Sequence, residues 1–296
     1  MGSASIHFGN LSLAWHGLWH KLAPNREPGC IHTRGMWRRL RCNPPTVVLL
    51  GFRYCLGKCL EPALRESILR TRSTLKPGNA RHRIPLGLQL MSRQQITQEQ
   101  LSSALDAQRN SGRGKIGEWL LTMGFATQQQ ITAALARQWR CPVLRNDWPL
   151  PSPNRIPSLP LALMQSARMI PVGYSRTNSS LYMAFSEGID YNTLYAIEQM
   201  TACHTDPCLA SPDLIQAGID SFSSDSFGNE VVFECGTDVQ EFTRIVRSYC
   251  VRLNASEIRI SVAGSYTWVR LVGSGPTLDL MFRSFPTSTE HWPSAV

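Results

Sequence analysis

Few residues in this 296-residue chain have the types and spacing that chemistry requires. His16 and His20 stand one helical turn apart, a spacing that puts two imidazoles on one helix face, but no carboxylate or cysteine partner accompanies them. Cys55 and Cys59, taken with Cys203, His204 and Cys208, hold the right atoms for zinc. Their wide separation and the lack of a repeated knuckle favour buried thiols. Glu187, Asp190 and Glu198 gather near a predicted strand–helix turn, where capping and solvent account for them. Glu257 and Arg259 alternate with Ile258 and Ile260, the pattern of a strand with one solvated face. Trp139, Arg140 and Arg145 are an ordinary pairing of one aromatic with nearby cations. The glycine-rich stretch 273–277 has no Lys with which to reach a phosphate, so it is not a P-loop. No Ser/His/Asp or Cys/His set carries a local catalytic signature. The chain therefore reads as non-enzymatic, with no catalytic residue, no metal and no cofactor.

Composition narrows the setting. With 43% hydrophobic and 17% charged residues the chain suits a globular protein rather than a disordered one. Its net charge of +9 is uneven: residues 1–84 hold fourteen Lys/Arg against three acids, giving +11, so the rest carries −2. Basic character of the kind that attracts nucleic acid or an anionic membrane thus belongs to the first quarter, and no specific nucleic-acid site is expected. No apolar run reaches the roughly 18 residues of a membrane helix; the best, 46–60, is broken by Arg53 and Lys58. The early apolar run is short and interrupted by His7, Asn10 and His16, unlike a signal peptide. Nine scattered cysteines fit free thiols in a reducing compartment, so a cytoplasmic location is expected.

Residues 1–84, with Trp15, Trp19, Trp37, Cys30 and Cys42 among arginines, show no sustained period except a helical stretch at 60–75. They read as a poorly ordered basic region. From Pro85 the character changes. A shift of 30 residues lays Leu86-Gly87 on Ile116-Gly117, Leu90-Met91 on Leu120-Leu121 and Thr97 on Thr127. It continues with Gln100 on Gln130, Leu101 on Ile131, Ala104-Leu105 on Ala134-Leu135 and Gln108 on Gln138. Each copy reads as a short helix, a turn and a longer helix that Thr97 or Thr127 caps. A duplicated hairpin buries its apolar face against its copy, so the two should pack together. After a proline-rich connector at 148–160 come strands at 169–172 and 180–185, a helix at 191–200 capped by Asp190, a strand at 202–210 and a helix from 211 to 219. A serine-rich linker at 221–226 then leads to a helix at 239–253 and strands at 257–262, 266–272 and 277–282. The expected class is α+β: an all-helical tandem hairpin repeat followed by two small α/β sandwich-like domains. The expected boundaries are 1–84, 85–147, 148–222 and 230–284, with a tail at 285–296.

Three stretches resemble one family in order. The repeats are similar to the MshEN domain, the cyclic di-GMP-binding module at the N-terminus of many GspE/PilB-type secretion and pilus ATPases. That motif runs Arg-Leu-Gly, a pair of aliphatics, a Gly, an aliphatic, then Leu, Ala-Leu and Gln. Residues 156–219 resemble the α/β domain that comes next in those ATPases, through 169–172, 181–190 and 209–215. Residues 242–246, 255–260 and 268–271 resemble the start of the next subdomain, whose strand carries an Ala-Ser-Asp-Ile-His-Ile-like run. The resemblance ends before any P-loop or Walker B strand.

The resemblance implies cyclic di-GMP as ligand rather than cofactor. Its residues by position are Leu86, Gly87, Leu101, Leu105 and Gln108 in the first copy. In the second they are Lys115, Ile116, Gly117, Gly124, Ile131, Leu135 and Gln138. The motif's opening Arg is Pro85 in one copy and Lys115 in the other, and its Gly is Gln94 in the first copy. Lys lacks the planar fork of a guanidinium; Arg83, Arg93 and Arg113 stand nearby as substitutes. The resemblance further implies secretion or pilus platform proteins of the inner membrane, or another envelope protein, as partners, with the chain peripheral at that membrane. It leaves three functions open: a regulatory docking protein, a cyclic di-GMP sensor, and a fragment of an ATPase whose P-loop core is encoded elsewhere.

Overall fold

A computed structural model describes residues 46–73, 83–152, 155–224, 229–234 and 238–283; His16, His20, the rest of 1–45 and the tail at 285–296 lie outside them. The described chain opens with a hairpin, β1 (Thr46–Leu49) and β2 (Phe52–Cys55), and helix α1 (Leu60–Ser73). Four helices come after it: α2 (Leu86–Ser92), α3 (Gln98–Ser111), α4 (Ile116–Thr122) and α5 (Gln128–Trp139). Next are α6 (Leu161–Ala167), β3 (Met169–Ser175), β4 (Ser180–Phe185), α7 (Tyr191–Thr201), β5 (His204–Leu209) and α8 (Pro212–Ser224). The last elements are β6 (Glu230–Phe233), α9 (Val239–Arg252), β7 (Glu257–Ala263), β8 (Tyr266–Val272) and β9 (Leu278–Arg283). The class is mixed α+β, with two sheets among the described residues.

Residues 46–55 depart most from the sequence reading, in which 1–84 shows no sustained period except the helix that α1 forms. The six-stranded sheet runs β2-β1-β7-β8-β9-β6, so the hairpin forms one edge of a sheet made mostly from the far end of the chain. Strand β1 lies parallel to β7, pairing Val48 with Glu257 and Leu49 with Ile258. Val47 and Leu49 point into a core with Leu60, Leu64 and Ile68 of α1 and Phe242, Val246 and Cys250 of α9. Arg247 of α9 fastens the arrangement, donating to the Leu56 carbonyl at 3.0 Å and to Glu61 at 2.6 Å. The hairpin's turn has Leu50 and Gly51 both at positive φ, the geometry of a two-residue turn that normally shows Asn-Gly.

The three-stranded sheet runs β3-β4-β5, antiparallel then parallel. Helix α7 packs along β7, and its buried Leu194, Ile197 and Met200 join a cluster that also contains Trp268 and Met281. One apolar cluster therefore runs through both sheets. Next to its Trp268, Arg270 and Asp279 form a buried pair, with Nε and Nη2 both 2.8 Å from the carboxylate. The Trp268 indole donates to the same carboxylate at 2.8 Å, and Arg270 also donates to the Ser158 carbonyl at 2.7 Å. Glu257 and Arg259 do not form a simple solvated face, because α7 covers it. Arg259 donates to the Met200 carbonyl at the end of α7 at 3.0 Å, a cation at a helix C-terminus. Helix α8 also runs past the expected linker start at 221, because Phe222 continues the buried spacing of Ile215 and Ile219.

Candidate functional site

Helices α2 to α5 repeat at 30-residue spacing, and their caps repeat with them. Thr97 accepts from the Gln100 amide at 3.2 Å while the Gln100 side chain accepts from the Thr97 amide at 2.9 Å. Thr127 and Gln130 do the same at 3.3 and 2.8 Å. Such a capping box satisfies two otherwise orphaned backbone donors and is worth about 1 kcal/mol.

The two copies pack reciprocally. The long helix of each lies against the short helix of the other, α3 on α4 and α5 on α2. Gln108 Nε2 donates to the Gly114 carbonyl and Gln138 Nε2 to the Ile84 carbonyl, both at 2.9 Å. Gly114 and Ile84 are themselves 30 residues apart, so each copy ties down the approach to the other's short helix. The helix starts meet closely because two of the motif positions are glycine. A Cβ on Gly87 would sit 2.5 Å from Leu101 Cδ1, and one on Gly117 would sit 3.2 Å from Leu86 Cδ2.

Each expected ligand residue thus has a definite place. Leu86 and Ile131 are buried in the helical core, and Leu101, Ile116 and Leu135 pack partly buried against it. Leu105 is half-buried, while Arg93, Arg113, Lys115 and Gly124 are exposed. Gly124 adopts φ 69°; its counterpart Gln94 adopts nearly the same left-handed value, 58°, without glycine's freedom. The Arg113 carbonyl accepts from the Trp119 indole at 3.1 Å.

Sequence reasoning missed what surrounds Lys115. Its ammonium pairs with Glu187, in the turn between β4 and α7, and the other oxygen of Glu187 lies 3.5 Å from Arg168 Nε. Beside this pair the Trp139 ring fills the space a Gly188 side chain would take, 2.9 Å from an added Cβ. Arg83 covers that ring at 3.4 Å from its centroid, and the Tyr191 ring lies 6.1 Å away, tilted. Beyond Trp139 the chain runs along β5, where the Leu209 amide donates to the Pro142 carbonyl at 2.9 Å and the Leu144 amide to the Leu209 carbonyl at 2.7 Å. These contacts form a joint between the helical repeat and the three-stranded unit. Of the groups around Lys115, only Arg83 had a place in the motif reading. Glu187 read only as a capping or solvated acid, and nothing local pointed to Lys115, 72 residues away.

Several of the other described groups have burial or partners of their own. Burial pushes the Cys141 thiol up to about 11 and those of Cys208 and Cys250 up to about 12, so they stay protonated and unreactive near neutrality. Glu198 accepts from the Thr205 amide and hydroxyl, and Asp190 caps α7 through the Asn192 amide. Among the described residues no three His, Cys, Asp or Glu side chains are grouped to hold a metal, and no helix is long and apolar enough to cross a membrane.

The sequence matches no known family description and no curated protein. Solved structures do match. One is of MshE with cyclic di-GMP, at 27% identity over 47% of this chain and 99% of that one, with a TM-score of 0.42. Another is of the XpsE N-terminal domain, at 16% identity over 46% of this chain and 91% of that one, with a TM-score of 0.36.

Proposed function

We propose that this chain is a non-enzymatic regulatory docking protein that assembles with platform proteins of a secretion or pilus apparatus, peripheral at the cytoplasmic face of the inner membrane. The observation that carries the reading is the engagement of the motif's polar groups. Gln108 and Gln138 hold backbone carbonyls, Lys115 holds Glu187, and Arg83 covers Trp139. Such a module is a rigid scaffold joined to an α/β unit, which suits presentation of a surface to a partner. Gel filtration of the purified chain mixed with the cytoplasmic part of an inner-membrane platform protein tests it. Co-elution is expected. Separate elution, or ATP turnover by the chain alone, contradicts the proposal.

The reciprocal packing favours a second reading, cyclic di-GMP binding. Equivalent contacts from Gln108 and Gln138 hold the approaches to α4 and α2, and Gly117 lets Leu86 of α2 come close to the start of α4, a paired arrangement that matches a ligand of two identical halves. Lys115 is the basic group at this place, and the apolar candidates supply a floor for the bases. Calorimetry decides it: saturable heat supports the sensor, and silence up to about a hundred micromolar ligand ends it.

A further inference from the structure

We infer that Glu187 is a built-in competitor for the ligand's phosphodiester: its carboxylate holds Lys115 in the free protein, and a phosphate that takes Lys115 loosens the joint to the three-stranded unit. This rests on the cyclic di-GMP reading. Lys115 stands at the opening position of the second motif copy, and the first copy has Pro85 there, so the opening position carries a cation in one copy only. That cation is already claimed by a carboxylate from outside the repeat. Arg168 lies against the other oxygen of the same carboxylate, so Glu187 sits between two cations as an anionic ligand would.

The claim is exchangeable. The Lys115, Arg168 and Glu187 side chains are 66%, 61% and 38% exposed, so water and salt compete for them and the pairing contributes little stability. A phosphodiester oxygen offers Lys115 the same charge-assisted hydrogen bond. Displacement reaches the joint through the residues just C-terminal to Glu187. Gly188 packs on Trp139, and Asp190 caps α7. Freeing Glu187 therefore removes one of the contacts that hold the repeat in place. By reciprocity, any partner that tightens the joint weakens the ligand by the same factor.

The test is calorimetric titration of cyclic di-GMP into the full chain and its Glu187→Gln, Glu187→Asp and Lys115→Gln variants. Glu187→Gln should bind about two- to fivefold more tightly than the parent, the range expected for an exposed ion pair. Glu187→Asp keeps the charge on a shorter arm and should fall between them, while Lys115→Gln should bind more weakly than the parent. A gain on removing Glu187 is not what a merely structural residue gives. Binding of equal strength by parent and Glu187→Gln overturns the competitor and leaves the ligand reading standing. No heat from any of the proteins overturns both.

Discussion

Replacing Gly188 by alanine puts a methyl group into the joint between the helical repeat and the three-stranded unit. The added Cβ would lie 2.9 Å from Trp139 Cζ2, 3.3 Å from Cε2 and 3.4 Å from Nε1. Ordinary carbon contacts begin at about 3.5 Å, so the indole must retreat by roughly half an ångström. Retreat opens its contact with Arg83, worth about 0.5–1 kcal/mol, and its pairing with Tyr191, worth about 0.5–1.5 kcal/mol. Overpacking of this kind costs about 1–3 kcal/mol in total, and the stiffer unfolded chain of alanine offsets about 0.4–1 kcal/mol. The expected net loss is about 1–2 kcal/mol. Urea denaturation measures it, with Gly57→Ala as the control, since Gly57 has no atom within 4 Å of an added Cβ and no positive φ. The control should be neutral or stabilising by up to about 1 kcal/mol. In a Trp139→Ala background the cost of Gly188→Ala should vanish. An undiminished cost there would refute the assignment of the clash to the indole.

The geometry sets three further outcomes. Gly124→Ala should lose about 1 kcal/mol by thermal melting, because its φ is 69° and the added methyl meets nothing, whereas Gln94→Gly should be neutral or stabilising. Burial holds the Glu230 carboxyl above its ordinary 4.5, with the nearby Asp279 also raising it and the Ala162 and Leu161 amides pulling it back. Its contribution is therefore present below the unfolded pKa and lost as pH rises through the folded one. Glu230→Gln, which keeps an acceptor for the Ala162 amide, should flatten that part of the stability profile, on the side above the ordinary carboxylate range, and be the more stable protein at neutral pH. Asp279→Ala strands the buried Arg270 guanidinium and should cost about 3–5 kcal/mol in chemical denaturation.

What was legible in the sequence was local. Thr97 and Thr127 announce their helices, and Asp190 and Ser211 announce theirs, because a cap and its donors lie within one turn. The 30-residue shift exposed the duplication for the same reason: matched residues needed no knowledge of what they touch. The hairpin at 46–55 was illegible because its pairing partner is β7, some two hundred residues away, and its turn uses Leu50 where Asn is expected. Helix α6 and strand β6 are too short for their periods to stand out, and they are stabilised by remote groups such as the Glu230 carboxylate over the Ala162 amide. At the candidate site the motif glycines and leucines were readable, but the same residues build the core. Glu187 became visible only once the fold brought the turn between β4 and α7 to Lys115.

The most direct measurement is calorimetric titration of the full chain with the cytoplasmic part of an inner-membrane platform protein from a secretion or pilus system. The docking account predicts saturable heat at a fixed stoichiometry. A flat titration with both proteins folded, up to about a hundred micromolar, would contradict it.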